Sequence, residues 1–413
     1  MKLLVQKFGG TSVRDQDSRS RAIAHVKKAL TEGYKVVVTV SAMGRKGSPY
    51  ATDTLLSLID YPETTSSLRE VDLLMSCGET ISSIVFAHEL SKSGTPAVSL
   101  SGAQAGFLTN EEFTKAKIIR MNPSRIFQEL QTNDVVVVAG FQGQTKRGET
   151  TTIGRGGSDT TAAALGAALS AEFIDIFTDV DGIMTADPRV VENARALNVV
   201  TYNEICNLAY QGAKVIHPRA VEIAMYAKVP IRVRSTYSDL PGTLVSGTKD
   251  DRLGQDLTER AVTGIAHMLG LTQIKVQSKK DPSKLQSDVF KSMASAGISV
   301  DFINISPSGV VYTIEHRYAE QAKSILEQLG YEPVLKQGCA KVSTVGAGIA
   351  GLPGVTAKIV HALTDVGVQI LQSADSHTTI WVLIKEEDLI SAVNALHKTF
   401  QLDLVTLKGE VPT

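Results

Sequence analysis

The sequence has few cysteines, almost no net charge and no long apolar run. Its 413 residues include three scattered cysteines, Cys77, Cys206 and Cys339, whose spacing does not suit a metal site. Unpaired thiols of this kind are typical of a reducing compartment, so we expect a cytoplasmic protein. The formal net charge of -1 gives no indication of the basic surface that nucleic-acid binding requires, so no nucleic-acid partner is expected.

Membrane spans and export signals are missing from the pattern as well. No apolar run approaches the roughly 20 residues that cross a bilayer, so no membrane partner is expected. Lys7 and the glycines after it interrupt any signal-peptide pattern at the N-terminus. The chain is longer than one hydrophobic core usually serves, which predicts two or three domains.

A glycine turn directly after the first apolar run suits phosphate. The segment Lys7-Phe8-Gly9-Gly10-Thr11-Ser12 follows Leu3-Leu4-Val5. Glycines let the backbone approach a polyanion, and the N–H groups of such a turn carry partial positive charge. Lys7 adds a full charge. The order differs from a Walker A loop, where the lysine follows the glycines. The alternative is a plain strand-to-turn connection with a solvent-reaching lysine.

A second glycine-rich turn precedes an alanine-rich helical pattern that runs from Ala162 to Leu169. The turn reads Gly154-Arg155-Gly156-Gly157-Ser158-Asp159. Either Ser158 or Asp159 suits the helix N-cap, because a short side-chain oxygen satisfies free N–H groups. Arg155 offers a planar fork for a carboxylate or phosphate. Two such turns in one domain predict a phosphorylated ligand, although a simple glycine-rich connection remains the alternative.

The first half of the chain alternates between strand and helix patterns. Apolar strands are predicted at 36–40, 135–139 and 173–177, and helices at 18–30, 68–90 and 124–130, the first closing at Gly33. This alternation predicts a three-layer α/β domain with a mainly parallel sheet, whose ligands bind at the carboxyl ends of the strands. The residues expected at those ends are Lys7, Ser41, Phe141, Thr178 and Asp179.

The last third of the chain contains an internal repeat. A turn-rich stretch from Thr236 to about Arg260 reads as a domain boundary. Beyond it, Gly297 aligns with Gly367, and the same offset pairs apolar positions over about forty residues. Each copy reads as a βαββαβ, ferredoxin-like unit, with first strands at 272–276 and 340–345.

Gly346 to Gly351 matches the dinucleotide-binding fingerprint, which would indicate a dehydrogenase. The third glycine of that fingerprint should open a helix, whereas Leu352-Pro353-Gly354 delays one here. We therefore expect these glycines to form a loop of the second repeat.

These motifs together resemble the aspartate kinases of the amino acid kinase family. Besides the two glycine turns, the resemblance rests on 40–44, 51–54, 76–80, 177–189 and 212–218, and it covers essentially the whole chain. It implies an amino acid kinase-type three-layer αβα domain with a mainly parallel sheet over residues 1–245. Two ferredoxin-like ACT domains would follow at 262–336 and 340–408.

The resemblance also implies an activity. The side-chain carboxylate of L-aspartate would attack the γ-phosphate of ATP to give 4-phospho-L-aspartate, the first step toward lysine, threonine and methionine. A carboxylate of pKa about 3.9 is already ionised and needs no general base. Catalysis then depends on positioning and charge neutralisation. Lys7 and Lys214 are the expected catalytic lysines, and Asp159 is expected to orient them.

Binding residues are carried over from the same motifs. ATP is expected at Lys7, Phe8, Gly9, Gly10, Ser41, Ser158, Thr178, Asp179, Met184, Asp187, Arg189 and Lys214. Aspartate is expected at Thr52, Asp53, Thr54, Glu79, Arg155, Gly156, Gly157 and Ser158, with Glu79 on the ammonium and Arg155 on the α-carboxylate. Mg²⁺ would be held mainly by phosphate oxygens and water, so no metal ligand is named.

Paired ACT domains imply feedback control by an end product. The effector is expected near Asp281, Gln286, Ser287, Asp288 and Ile298, and diaminopimelate, lysine and threonine are the candidates. ACT units pair across two-fold axes, so a homodimer or a dimer-based tetramer is expected. The alternatives are a non-catalytic amino-acid sensor and a different amino acid kinase.

Overall fold

The computed structural model describes residues 2–213, 215–247, 261–277, 282–346, 349 and 352–404. Contacts among them divide the chain into two compact units. The first unit comprises Met1–Ile183, Ala196–Ala209 and Lys214–Gln255, and the second comprises Met184–Arg195, Tyr210–Ala213 and Asp256–Thr413. None of the helices in these described ranges is long and apolar enough to cross a membrane.

The first unit alternates strands and helices, as the apolar runs predict. Its strands are β1 (Lys2–Phe8), β2 (Tyr34–Val40), β3 (Ala97–Leu100), β4 (Phe107–Thr109), β5 (Ile118–Met121), β6 (Val135–Ala139), β7 (Gln142–Gln144), β8 (Thr150–Thr152), β9 (Phe173–Thr178), β10 (Val199–Thr201), β11 (Ile231–Ser235) and β12 (Thr243–Ser246). Its helices are α1 (Gln16–Thr31), α2 (Thr52–Ser57), α3 (Leu68–Lys92), α4 (Ser124–Glu129), α5 (Gly157–Leu169), α6 (Tyr202–Tyr210) and α7 (Pro218–Ala227).

The main sheet of the first unit has the strand order β10-β12-β11-β9-β1-β2-β6-β3. Its pairs are parallel except for β11 with β12, which confirms a mainly parallel sheet. A smaller sheet of order β5-β4-β7-β8 accompanies it. The central strands β1, β2 and β9 are almost entirely buried, so their carboxyl ends form a rigid base for a site.

Part of the turn-rich stretch from Thr236 to about Arg260 is a strand. Thr243–Ser246 belongs to the main sheet as β12, where it pairs with both β10 and β11. The turn residues Asp239 to Gly242 hid this strand, since they form the short connection between β11 and β12. Residues 248–260 lie outside the described residues.

The second unit contains β13 (Gly264–Gln277), α8 (Pro282–Ser295), β14 (Asp301–Ser306), β15 (Gly309–Glu315), α9 (Ala319–Gln328), β16 (Val334–Val345), α10 (Val355–Asp365), β17 (Gln372–Asp375), β18 (Thr379–Lys385) and α11 (Leu389–Thr399). The sheet order is β14-β15-β13-β16-β18-β17. The C-terminal half of β13 pairs with β15, and the C-terminal half of β16 pairs with β18. The two long strands also pair with each other. The two repeats therefore share these long strands.

The internal repeat is confirmed by the packing. Gly297 and Gly367 both adopt positive φ, at 69° and 74°. Tyr312 is buried in the core of the first repeat, and its counterpart Val382 in the core of the second. The predicted delay after Gly346 is also confirmed, because α10 begins at Val355 with Gly354 as its N-cap.

Candidate active site

Lys7 and Asp159 form a largely buried ion pair at the carboxyl end of the central strands. Lys7 lies on β1 in register with Thr39 of β2 and Ile176 of β9. Its Nζ is 2.6 Å from Oδ1 of Asp159, and both side chains are close to 90% buried. The other carboxylate oxygen of Asp159 accepts the backbone N–H of His217 at 3.2 Å. The lysine is thus held in one position by a carboxylate that is itself held.

The glycine turn after Lys7 is tightly enclosed. A Cβ at Gly10 would lie 2.5 Å from the carbonyl oxygen of Gly44 and 2.8 Å from that of Ala42, so this position requires glycine. Ser41 donates its N–H to the Phe8 carbonyl at 3.1 Å. The Phe8 ring is buried and stacks on Phe177, so only the Phe8 backbone is available to a nucleotide. The turn and Ser41 form one continuous edge.

The second glycine turn corrects the predicted helix start. The N-cap of α5 is Gly156, in left-handed conformation with φ 70°, and not Ser158 or Asp159. Both residues lie in the first turn of α5, where the N-terminal end of the helix dipole favours the Asp159 carboxylate. Because Gly156 needs no side chain to cap the helix, Asp159 is free to bind Lys7.

Gly156 is also where the turn meets His217. A Cβ added at Gly156 would lie 2.2 Å from Cγ of the His217 imidazole. The Gly156→Ala variant must therefore displace the residue whose N–H holds Asp159. We expect it to lose about 2 kcal/mol or more of unfolding free energy and much of its activity. Thermal denaturation and kinase assays would measure both losses.

Gly148→Ala is the matched control, because Gly148 has φ 85° but its Cβ would meet open space. Gly148→Ala places a side chain at positive φ, as Gly156→Ala does, but without a steric overlap. Equal losses of stability and activity in the two variants would contradict the proposed role of the His217 contact.

Glu79 is buried, and one of its two carboxylate oxygens has no hydrogen-bond partner among the described residues. It lies on α3 and is only 3% exposed. Its Oε1 accepts the backbone N–H of Ala42 at 3.0 Å, whereas Oε2 is buried without a hydrogen-bond partner among the described residues. Desolvation raises the pKa of Glu79 to about 8. A buried carboxylate of this kind gains strongly from a cationic partner.

The loop after β2 connects the elements of the site. Gly44 donates its N–H to the Gly10 carbonyl at 2.9 Å. Gly47 donates to Oγ1 of Thr54 at 3.2 Å. Between them, Arg45 places Nη2 3.0 Å from Oδ2 of Asp179, and both of these side chains are exposed. Thr52, Asp53 and Thr54 form the first turn of α2, which packs on α3.

The other predicted site residues lie in several different places. Arg155 is exposed on the turn before α5, and Ser158 is buried beside Gly140. Met184, Asp187 and Arg189 belong to the second unit, where the Arg189 guanidinium binds the Asp187 carboxylate. Lys214 lies outside the described residues.

The predicted effector residues fall on the first repeat, apart from Asp281, which lies outside the described residues. Gln286, Ser287 and Asp288 are on α8, and Asp288 accepts the Tyr331 hydroxyl at 2.8 Å. Ile298 is buried in the core of the repeat.

Sequence reasoning missed two residues beside the site. Asp72 on α3 is fully buried, and its carboxylate accepts hydrogen bonds from the backbone N–H groups of Thr114 and Thr152 and from the Thr152 hydroxyl. It fixes α3, and with it Glu79, against β8. Arg45 was missed although the basic pair Arg45-Lys46 lies in the short glycine-containing loop that follows β2.

Comparisons with known proteins identify the family. The model of the amino acid kinase family matches residues 2–235, and an ACT domain model matches residues 334–398. Aspartokinase 1 of Bacillus subtilis is 64% identical over 97% of this chain and 100% of its own length. The chain belongs to the aspartokinase family. The expectation of an aspartate kinase with an α/β kinase domain and C-terminal ACT regulation is thereby confirmed.

Solved structures agree over nearly the whole length. Escherichia coli aspartokinase III in complex with aspartate and ADP, in its R-state, matches with a TM-score of 0.77 and 25% identity. The alignment covers 96% of this chain and 99% of that one. The same enzyme in complex with lysine and aspartate, in its T-state, matches with a TM-score of 0.74, 25% identity and the same coverage.

Proposed function

We propose that this chain phosphorylates the side-chain carboxylate of L-aspartate with ATP, using the site around Lys7 and Asp159. A carboxylate oxygen forms a bond to the γ-phosphorus while the bond from that phosphorus to the β,γ-bridging oxygen breaks. The products are 4-phospho-L-aspartate and ADP. The observation that carries this proposal is the pairing of a fixed buried lysine with a buried, half-partnered Glu79 on either side of one glycine turn.

Charge neutralisation is the main task of the site. An anionic acceptor must approach a polyanionic donor, so the fixed positive charge of Lys7 would stabilise the transferring phosphoryl group. Gly9 and Gly10 would donate backbone N–H groups to phosphate oxygens. Asp159 holds Lys7 in place and takes no proton. Lys214 is proposed as the second lysine on the strength of its motif.

Glu79 would bind the ammonium group of aspartate. The Oε2 atom has no hydrogen-bond partner among the described residues, and a cationic group would supply one. Glu79 is close to the phosphate turn, because Ala42 contacts both Glu79 and the Gly10 position. Arg155 is proposed as the partner of the α-carboxylate because of its planar fork. Thr52, Asp53 and Thr54 would line the same pocket.

This assignment predicts that kcat/KM for aspartate rises with pH. In the free enzyme Glu79 has a pKa of about 8, so below that pH it is mostly neutral and must lose a proton to pair with the ammonium. We expect kcat/KM for aspartate to rise about tenfold per pH unit toward pH 8 and then level off. The same profile measured for ATP at saturating aspartate serves as the control, and an equally steep rise there would contradict the assignment.

ATP is used with a divalent cation, and we propose Mg²⁺ entering as part of the nucleotide substrate. Mg²⁺ retains waters and binds phosphate oxygens by preference, so it would screen the β- and γ-phosphates. Among the described residues there is no group of three His, Cys, Asp or Glu side chains arranged to hold a metal. Lys7 and the glycine turn would act on the phosphate oxygens that the cation leaves free.

We propose feedback inhibition through the ACT repeats, with residues 262–336 and 340–408 as the two domains. Diaminopimelate is the proposed effector, and lysine and threonine are its competitors. The contacts would come from Gln286, Ser287 and Asp288 on α8. ACT units pair across two-fold axes, so a homodimer or a dimer of dimers is proposed.

An acyl-phosphate trap tests the reaction. Mg·ATP, hydroxylamine and L-aspartate should yield aspartyl hydroxamate, whereas N-acetylglutamate and a no-acceptor control should yield none. Adding diaminopimelate, lysine and threonine singly and in pairs should identify the effector. A folded, ATP-binding chain that forms no hydroxamate would favour an amino-acid sensor, and hydroxamate from another acceptor would favour a different amino acid kinase.

A further inference from the structure

Arg45 and Asp179 form an ion pair that crosses the phosphate turn. In the main sheet, β1 lies between β2 and β9. Arg45 is on the loop after β2, and Asp179 directly follows β9, so their contact at 3.0 Å spans the end of the strand that carries Lys7. The Asp179 carboxylate also accepts the Thr178 hydroxyl at 3.2 Å. The pair therefore joins the two segments that flank the strand carrying Lys7.

The backbone on either side of Arg45 is hydrogen-bonded to the phosphate turn and to the proposed aspartate pocket. At one end, Gly44 donates its N–H to Gly10 of the phosphate turn. At the other, Gly47 donates to the Thr54 hydroxyl on α2, in the proposed aspartate pocket. Within the loop, the Ser48 N–H bonds the Arg45 carbonyl at 2.8 Å. The guanidinium is carried by a short loop that reaches from the donor phosphate to the acceptor.

We propose that Arg45 binds the γ-phosphate of ATP and the phosphoryl group during transfer, and that Asp179 holds its guanidinium in place until nucleotide arrives. This inference rests on the proposed function. A planar guanidinium can bond two phosphate oxygens at once, which an ammonium group cannot. The phosphoryl group is then neutralised from two directions, by Lys7 from the strand and by Arg45 from the loop.

The exchange of partners costs little. Arg45 and Asp179 are 73% and 49% exposed, and exposed ion pairs contribute on the order of 1 kcal/mol or less. A phosphate with two negative charges competes well against one solvated carboxylate. A carboxylate and a phosphate can each accept two N–H bonds from one guanidinium, so Arg45 can move between them without unfolding the loop.

Nucleotide binding separates this role from a structural one. The Arg45→Gln variant should bind a non-hydrolysable β,γ-imido analogue of ATP at least about tenfold more weakly, while its affinity for ADP changes less than about threefold. Its kcat for aspartate phosphorylation should fall about 10- to 100-fold. Arg45→Lys keeps the charge but not the fork and should recover only part of this loss.

Lys46→Gln is the matched control, since Lys46 is the next residue on the same exposed loop and its loss removes the same charge. It should leave both affinities and kcat near the wild-type values. Thermal denaturation of each variant checks that the fold is retained.

Equal behaviour of Arg45→Gln and Lys46→Gln would overturn the proposal. Tighter nucleotide binding by Arg45→Gln would overturn it too, because Arg45 would then act as a gate over the turn. The binding measurements need no aspartate. A selective loss for the ATP analogue in a chain that makes no hydroxamate would therefore support the role of Arg45 while contradicting the proposed function.

Discussion

Replacing Lys7 with alanine should lower kcat for aspartate phosphorylation by at least about a thousandfold. Lys7 lies beside the glycine turn, since a Cβ on Gly9 would be 3.5 Å from its Nζ. Its loss removes a fixed charge from the position where negative charge accumulates in the transition state. Steady-state kinetics with saturating ATP and aspartate measure the effect.

The fall in kcat of Lys7→Ala should exceed the effect of removing a positive charge elsewhere on the same strand. Lys2→Ala is the matched control, because Lys2 lies on the same strand with a 65% exposed side chain, a 4.0 Å pairing to Glu172 and a contact with the Tyr34 ring. It should keep near wild-type kcat. Lys7→Ala also leaves Asp159 largely buried without its cation, so some loss of stability is expected. A folded Lys7→Ala variant with a kcat within tenfold of wild type would remove Lys7 from the mechanism.

Replacing Glu79 with glutamine should raise KM for aspartate about 10- to 100-fold and change kcat much less. The amide can keep the bond from the Ala42 N–H to Oε1, so the packing of α3 is preserved. Its NH₂ group then occupies the position of the unpartnered oxygen and faces the substrate ammonium with donors. The variant should also lose the rise of kcat/KM toward pH 8, because the titrating group is gone.

Glu70→Gln on the same helix is the control, since Glu70 is exposed and its carboxylate pairs with the neighbouring Arg69. It should leave KM for aspartate unchanged. Burial favours the neutral form of Glu79, so Glu79→Gln should be as stable as the wild type or more so near neutral pH. An unchanged KM in a stable Glu79→Gln variant would place the ammonium group elsewhere.

Much of the fold follows from local sequence signals. The apolar runs of β2, β6 and β9 predict a buried parallel sheet, and the offset between Gly297 and Gly367 predicts two similar repeats. In each case the residue type itself indicates the local structure. A run of β-branched residues indicates a strand that is buried on both faces, and a glycine at a turn indicates positive φ. The carboxyl-end rule then collects Lys7, Ser41 and Asp179 at one edge.

Features set by tertiary contact were harder to predict. Gly156 caps α5 in place of Ser158 because a backbone position against His217 excludes a side chain, and no local pattern contains that contact. The sharing of β13 and β16 between the repeats depends on strand pairing across Gly270, where the register shifts. Arg45 gains a role only because β1 lies between β2 and β9.

The most direct measurement is phosphorus NMR of the reaction with L-aspartate labelled with ¹⁸O in its side-chain carboxylate. The account predicts a new acyl-phosphate signal, formed together with ADP, that carries the isotope shift of one ¹⁸O atom bound to phosphorus. It also predicts that Lys7→Ala forms this signal at least about a thousandfold more slowly. Release of only ADP and unlabelled inorganic phosphate by the wild-type chain would contradict attack by the aspartate carboxylate.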